Sequence, residues 1–132
     1  MLVVGFDTAT PAVSVAVHDG ERVVAEASAA DGRRHGELLM PMVAQVLADA
    51  GASRADLTAV AVGVGPGPYT GLRVGVVTAR VLGAVLGIPV HGVCSLDVIA
   101  ADVPRGRERK LRRPVRKVIR NRAQLQHLAT AA

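Results

Sequence analysis

The sequence predicts an α/β domain in which helices cover a mixed sheet. Three observations carry this. Short β-prone apolar runs, parted by polar turns, fill residues 2–28. Apolar residues then recur at helical spacing over 38–47 and again over 70–86. An apolar run of strand length follows each of those helical stretches, the arrangement that parallel strands with helical crossovers require.

Residues 2–6 form the first strand, and Asp7-Thr8-Ala9-Thr10-Pro11 is a polar turn. Val13 to Val17 is the second strand. Asp19-Gly20 signals a two-residue hairpin with positive φ open to both residues, and Arg22 to Ser28 returns as the third strand. A helix is expected from about Gly36 to Ala50, with Leu38, Leu39, Met42, Val43, Val46 and Leu47 on its apolar face and Gly51 just past its end. Pro41 fits that helix only in its first turn or at a kink. Leu57 to Val64 is apolar almost throughout, as a central parallel strand is. A second helix runs from about Thr70 to Leu86 and stops at Gly87; Ile88 to Val93 is the fifth strand. Ser95 then N-caps a last helix with Asp97 in its first turn. The element order is βββαβαβα.

The chain has 132 residues, one domain by length and enough to bury roughly two thirds of its unfolded surface. Tyr69 and Phe6 are its only aromatics, so Val, Ala, Leu and Gly must fill the core. The formal charge of +5 hides a division. Residues 1–103 hold 6 Lys+Arg and 10 Asp+Glu, a net of −4, while 104–132 hold 10 Lys+Arg and one acid, Glu108, a net of +9. An acidic body therefore carries a basic Arg-rich tail, and overall charge does not class the body as a nucleic-acid binder. The single Cys94 rules out an internal disulfide and fits a small buried thiol. The N-terminus lacks the basic start of a signal peptide, and Val81 to Val90, the longest apolar run, is broken by Gly83, Gly87 and Pro89. The expected setting is reducing and cytoplasmic, with no membrane partner.

Two motifs invite a functional reading. Gly63-Val64-Gly65-Pro66-Gly67-Pro68-Tyr69-Thr70-Gly71 lies between a strand and a helix, where unpaired N–H groups and glycines favour a phosphate. Asp7, at the end of the first strand, is placed to hold a cation beside it. Asp7, Gly65, Gly67 and Thr70 are thus the candidate nucleotide or phosphate contacts. The Walker lysine is absent and the G-x-G-x-x-G pattern fails at Pro68. A stiff crossover with a self-capping Asp turn explains the same residues. The second motif is Gly71, Gly75, Ala79, Gly83 and Gly87, spaced by four along one helix. Such a stripe admits a close neighbour, either another subunit or the chain's own sheet. His18, His35, His91 and His127 have no metal-ligand spacing, and His35 suits a cap or surface position. No metal ligands are assigned, and no catalytic residue.

Val4-Gly5-Phe6-Asp7-Thr8-Ala9-Thr10, Asp19-Gly20, His35-Gly36-Glu37-Leu38-Leu39-Met40-Pro41 and Gly65-Pro66-Gly67-Pro68-Tyr69-Thr70-Gly71-Leu72-Arg73-Val74-Gly75 together resemble the TsaB (YeaZ) family. The likeness covers about residues 1–102, the first half of that family's length. It implies an actin-like, ribonuclease-H-like lobe with a five-stranded sheet of order 3-2-1-4-5. It implies a non-catalytic scaffold in forming threonylcarbamoyladenosine on tRNA, next to the anticodon. The implied partners are a metal-bearing TsaD-type catalytic subunit, a TsaE-type ATPase that brings ATP to the complex, tRNA through that complex, and a second copy of the chain. The TsaD-type subunit carries an H-x-x-x-H pair after its fifth strand; here the sequence reads Cys94-Ser95-Leu96-Asp97-Val98-Ile99. The resemblance places the partner interface on Leu39, Val43 and Val46 of one helix and Gly71, Gly75 and Ala79 of the other.

Past Pro104 the likeness ends. Two readings of the tail stand open. One is an out-of-frame continuation of a GC-rich gene, which yields Arg, Pro and Ala. The other is a basic appendage that binds tRNA phosphates, whose bland form is a solvated disordered tail. Beside the scaffold stand two other functions, an actin-like nucleotide-binding phosphotransferase fragment and an RNA-binding module driven by the tail.

Overall fold

Alternation decides which way each strand faces. In β1 (Val3–Asp7) and β2 (Ala12–His18), Val4, Phe6, Val13, Val15 and Val17 are buried, and the residues between them are less so. A computed structural model describes residues 1–31 and 33–101; the basic stretch 104–132, with both readings of it, lies outside the described residues. β3 (Val23–Ala30) completes the antiparallel meander, and β4 (Ala59–Gly63) and β5 (Val90–Val93) add in parallel on the other side of β1. The sheet order is β3-β2-β1-β4-β5, as the resemblance implies.

Both long helices lie on one face. α1 (His35–Asp49) covers β2 and β3 with Leu39, Val43, Val46 and Leu47, and α2 (Tyr69–Leu86) packs mainly on β4 with Ala79 and Leu82. With one phenylalanine in it, this core depends on close approach of small β-branched side chains. α2 is long and apolar enough to cross a membrane by length and composition alone, but its small residues are buried against this sheet. α3 (Ser95–Ala101) follows β5.

Three local expectations need correction, and one short element carried no signal. The β2–β3 connection is a four-residue loop, with the Asp19 N–H bonded to the Arg22 carbonyl and only Gly20 at positive φ (102°). Asp19 Oδ1 accepts from the N–H groups of Arg22 and Glu21, which holds its carboxyl below the usual aspartate range. Pro41 sits in the second turn of α1, and the helix runs on through it. The ring denies the Glu37 carbonyl its usual i+4 donor, on a turn where both residues are exposed. A short 3₁₀ turn, Arg54–Asp56, precedes β4 and is closed by a Ser53–Asp56 capping box that the periodicity did not signal. Ser95 is the first residue of α3, and its hydroxyl does not cap that helix but accepts from the Gly65 N–H. Gly51 and Gly87 end α1 and α2 at positive φ, as expected.

Leu39 is among the largest fully buried side chains, 1% exposed. Leu39→Ala should cost about 2–5 kcal/mol, read as a lower urea midpoint at unchanged m-value.

Candidate functional site

The glycine-rich string and the turn after β1 form a single unit. Thr8 is 1% exposed and points into α2. Its hydroxyl donates to the Gly71 carbonyl at 2.6 Å and accepts from the Gly75 N–H at 3.1 Å. Those two groups stand four apart, so one side chain bridges positions that a helix pairs with each other. The approach is possible only because neither residue has a side chain. A Cβ at Gly71 would lie 2.5 Å from the Thr8 carbonyl oxygen, and one at Gly75 would lie 2.5 Å from Thr8 Oγ1.

The rest of the turn is held in the same way. Asp7 Oδ1 accepts from the Ala9 N–H at 2.6 Å, and a Cβ at Gly63 would collide with the Asp7 carboxylate. A Cβ at Gly67 would collide with the Ala9 carbonyl. His35, at the start of α1, reaches the Thr10 carbonyl at 2.8 Å; since a carbonyl only accepts, Nε2 carries the proton. His35 is therefore a latch on the turn, neither a cap nor a free surface residue. Ser95 and Gly65 exchange two bonds, the Gly65 N–H donating to the Ser95 hydroxyl and the Ser95 N–H to the Gly65 carbonyl, which tie the start of α3 to the loop before α2.

This geometry sorts the candidate residues. Of the phosphate set, Asp7, Gly65 and Gly67 are brought together around the turn, where the glycines admit the chain's own atoms. Gly65, at φ +88°, lies against Leu72. Thr70 is exposed in the first turn of α2 and does not cap it. Of the interface set, Leu39, Val43, Val46 and Ala79 lie in the core, and Gly71 and Gly75 are buried on Thr8. These six residues pack within the lobe, and the stripe faces its own sheet. Gly83 likewise packs on Val90. The outer face of α2 instead carries Val77, Val81 and Val85, 52%, 55% and 77% exposed, in line with Tyr69, over whose ring the Arg73 guanidinium sits at 5.4 Å. Sequence reading placed the stripe on the right helix but missed Thr8, His35 and Ser95 as its fasteners. The signal was available in Thr8 and two glycines four apart, but it lies 63 and 67 residues away in sequence.

The sheet face opposite the helices is open. A groove of about 630 Å³ runs across it, floored by Gly5, Ala16 and Ala61 and bordered by Asp7, His91 and Val98. Among the described residues no three of His, Cys, Asp and Glu gather as a metal site.

This sheet order, with a meander followed by helix-linked strands, defines an actin-like, ribonuclease-H-like lobe. A hexokinase of the ROK type from Thermus thermophilus shares the fold alone (TM-score 0.53, 23% identity, 76% of this chain and 37% of that one). YeaZ from Pseudomonas aeruginosa matches at TM-score 0.75 and 32% identity, over 81% of this chain and 50% of that one. The tRNA threonylcarbamoyladenosine biosynthesis protein TsaB of Escherichia coli is 37% identical over 100 residues, 76% of this chain and 43% of that protein. An uncharacterized protein of Mycobacterium tuberculosis is 53% identical over 107 residues, 76% of this chain and 48% of its own length. The family model for TsaD, tRNA N6-adenosine threonylcarbamoyltransferase, matches residues 23–120. The chain belongs to this family, and its TsaB and YeaZ relatives bear out the resemblance to that branch. The chain spans about half the length of these relatives.

Replacing the Thr8 hydroxyl by a methyl in Thr8→Val should cost about 1–3 kcal/mol, whereas Thr8→Ser keeps both bonds and should lose less. Equilibrium unfolding of the two variants gives the comparison. Gly75→Ala should likewise destabilise the fold, by about 1–3 kcal/mol, because the new methyl meets Thr8.

Proposed function

We propose that this chain is a non-catalytic partner in forming threonylcarbamoyladenosine on tRNA, and that it docks and activates a TsaD-type catalytic subunit. The observation that carries this is the outer row of α2. Three valines in line and an exposed tyrosine are more apolar surface than a helix on a solvated face needs. The inner face of the same helix is fixed to the sheet through Thr8, so the row is presented on a rigid support. Family membership supplies the process, and the name of the TsaB relatives supplies the tRNA product. The stretch Cys94-Ser95-Leu96-Asp97-Val98-Ile99, where the resemblance puts the histidine pair of the catalytic sibling, contains no histidine, which supports an accessory role. In that assembly ATP belongs to a TsaE-type ATPase and tRNA is met through the complex, in the cytoplasm.

The scaffold reading moves the interface from the small-residue stripe to Val77, Val81 and Val85. A buried contact of this kind depends on a few apolar anchors at its centre. Val81→Glu should weaken binding of a purified TsaD-type subunit at least about tenfold in a titration, with the far-UV spectrum and thermal midpoint little changed. Unaltered affinity would count against docking through α2. The nucleotide reading has its own signature: saturable ATP binding that Asp7→Ala abolishes.

A further inference from the structure

One register row crosses the sheet face that α1 and α2 leave open. Glu26 of β3 stands beside Ala16, Ala16 beside Gly5, Gly5 beside Ala61, and Ala61 beside His91 of β5. The three central members carry a methyl group or nothing. The row is therefore a trough, with a carboxylate at one end and an imidazole at the other. His91 Nε2 is shielded from solvent and has no hydrogen-bond partner among the described residues. The charged side chains that line the trough are Asp7 and Glu26, and among the described residues no Lys or Arg lines it. Val98 of α3 borders it, and α3 ends one turn later at Ala101, so the chain leaves α3 beside this face.

The sequence past Ala101 carries the complementary pattern. Val115, Val118, Ile119, Leu125 and Ala129 share one side of a helical projection, and Arg122 falls in the middle of them. Pro114 stands just ahead, where a helix accepts proline as its first residue. Residues 104–132 hold 10 Lys+Arg against one acid, opposite in sign to the trough. We propose that residues 115–129 lie as a helix in this trough, with the apolar stripe on Gly5, Ala16 and Ala61 and the Arg122 guanidinium against the Asp7 carboxylate. The dimensions match. A helix of that span rises about 22 Å, and the four strand spacings from β3 to β5 make about 19 Å. The linker from Ala101 to Val115 reaches at most about 45 Å, enough to enter the trough from either end. A floor without side chains lets branched residues of the stripe approach the sheet closely. Arg122, central in the stripe, comes over the middle strands, where Asp7 lies two residues along β1 from Gly5 on the same face. The tether holds the segment at a high effective concentration beside its groove. The outer row of α2, on the other side of the sheet, stays free.

The test is a nitroxide spin label on the full chain, freed of nucleic acid and read by amide NMR. Cys94→Ala removes the native thiol, and Asn121→Cys, at the flank of the stripe, takes the label. The amide signals of Gly5, Ala16 and Ala61 should lose most of their intensity and regain it when the label is reduced. Val85, on the outer face of α2, should keep its signal. Val118→Glu and Arg122→Glu should each restore the lost intensity. Arg120→Glu makes the same charge change off the stripe and should leave the loss in place. Unshifted Thr8 and Gly75 amides in every variant separate undocking from unfolding. Full intensity at Gly5, Ala16 and Ala61 in the labelled parent chain would overturn the proposal. So would equal effects of Arg120→Glu and Arg122→Glu, which would mean diffuse charge attraction, or a loss that survives Val118→Glu. A loss that appears when label and isotope sit on separate, mixed copies would assign the groove to another molecule and overturn it too.

Discussion

The lobe hangs on one hydroxyl. Thr8 Oγ1 joins the turn after β1 to α2 by bonding two backbone groups that stand one helical turn apart. Without that contact α2 would still be apolar on one side, but its N-terminal half would lose the polar contact that sets its height and rotation on the sheet. Hydrophobic contact is non-directional; two hydrogen bonds into a named carbonyl and a named N–H are not. The glycines at 71 and 75 exist for this contact, since either Cβ would occupy the space that Thr8 fills. The neighbouring contacts follow the same plan. Gly63 yields to Asp7, Gly67 yields to Ala9, and His35 closes the far side on Thr10. Three elements that meet at the turn, β1, α1 and α2, are thereby set against one another by polar contacts at one end and by valine and leucine packing along their length.

Once the inner face of α2 is committed in this way, the helix has a single face left for anything else. The chemistry of that face differs from the inner one. Valine replaces glycine, the side chains project, and the row stays exposed among the described residues. A helix weakened by three internal glycines, at 71, 75 and 83, would be a poor platform alone. Thr8 and the sheet supply the rigidity that its own propensity lacks. The division of labour is therefore between the two sides of one helix, and it explains how a string rich in glycine serves to present an apolar surface.

Most of the fold was legible because its signals are local. Strands alternate, helices recur at three and four, Gly51 and Gly87 mark helix ends, and the order of elements leaves few topologies. The errors fell where two distant segments decide the outcome. A stripe of small residues states that something comes close but not what, and here the neighbour is Thr8 and Val90 of the same chain rather than another subunit. Ser95 looked like a cap because it precedes a helix, yet its hydroxyl is claimed by Gly65, 30 residues earlier. The β2–β3 loop was misjudged because Asp19 bonds Glu21 and Arg22 through its own side chain, which sets a longer loop than Asp-Gly alone suggests. In each case the residue type was informative and the partner was not.

The two faces of the sheet complete the physical picture. The helix-bearing face is closed by valines and leucines, many of them fully buried. The other face is floored by Gly5, Ala16 and Ala61, residues too small to shield the backbone beneath them. His91 borders that face, and its Nε2 is out of contact with solvent and has no hydrogen-bond partner among the described residues. A buried imidazole nitrogen left unpaired costs free energy, as does an apolar groove left open. Both costs fall on the same side, and both are relieved by covering it with a segment that brings an apolar stripe and one polar group. The matched part of this chain spans about half the length of its relatives. The sheet is thus closed on its helix side and open on the other, and its unmet polar and apolar demands lie together on the open side.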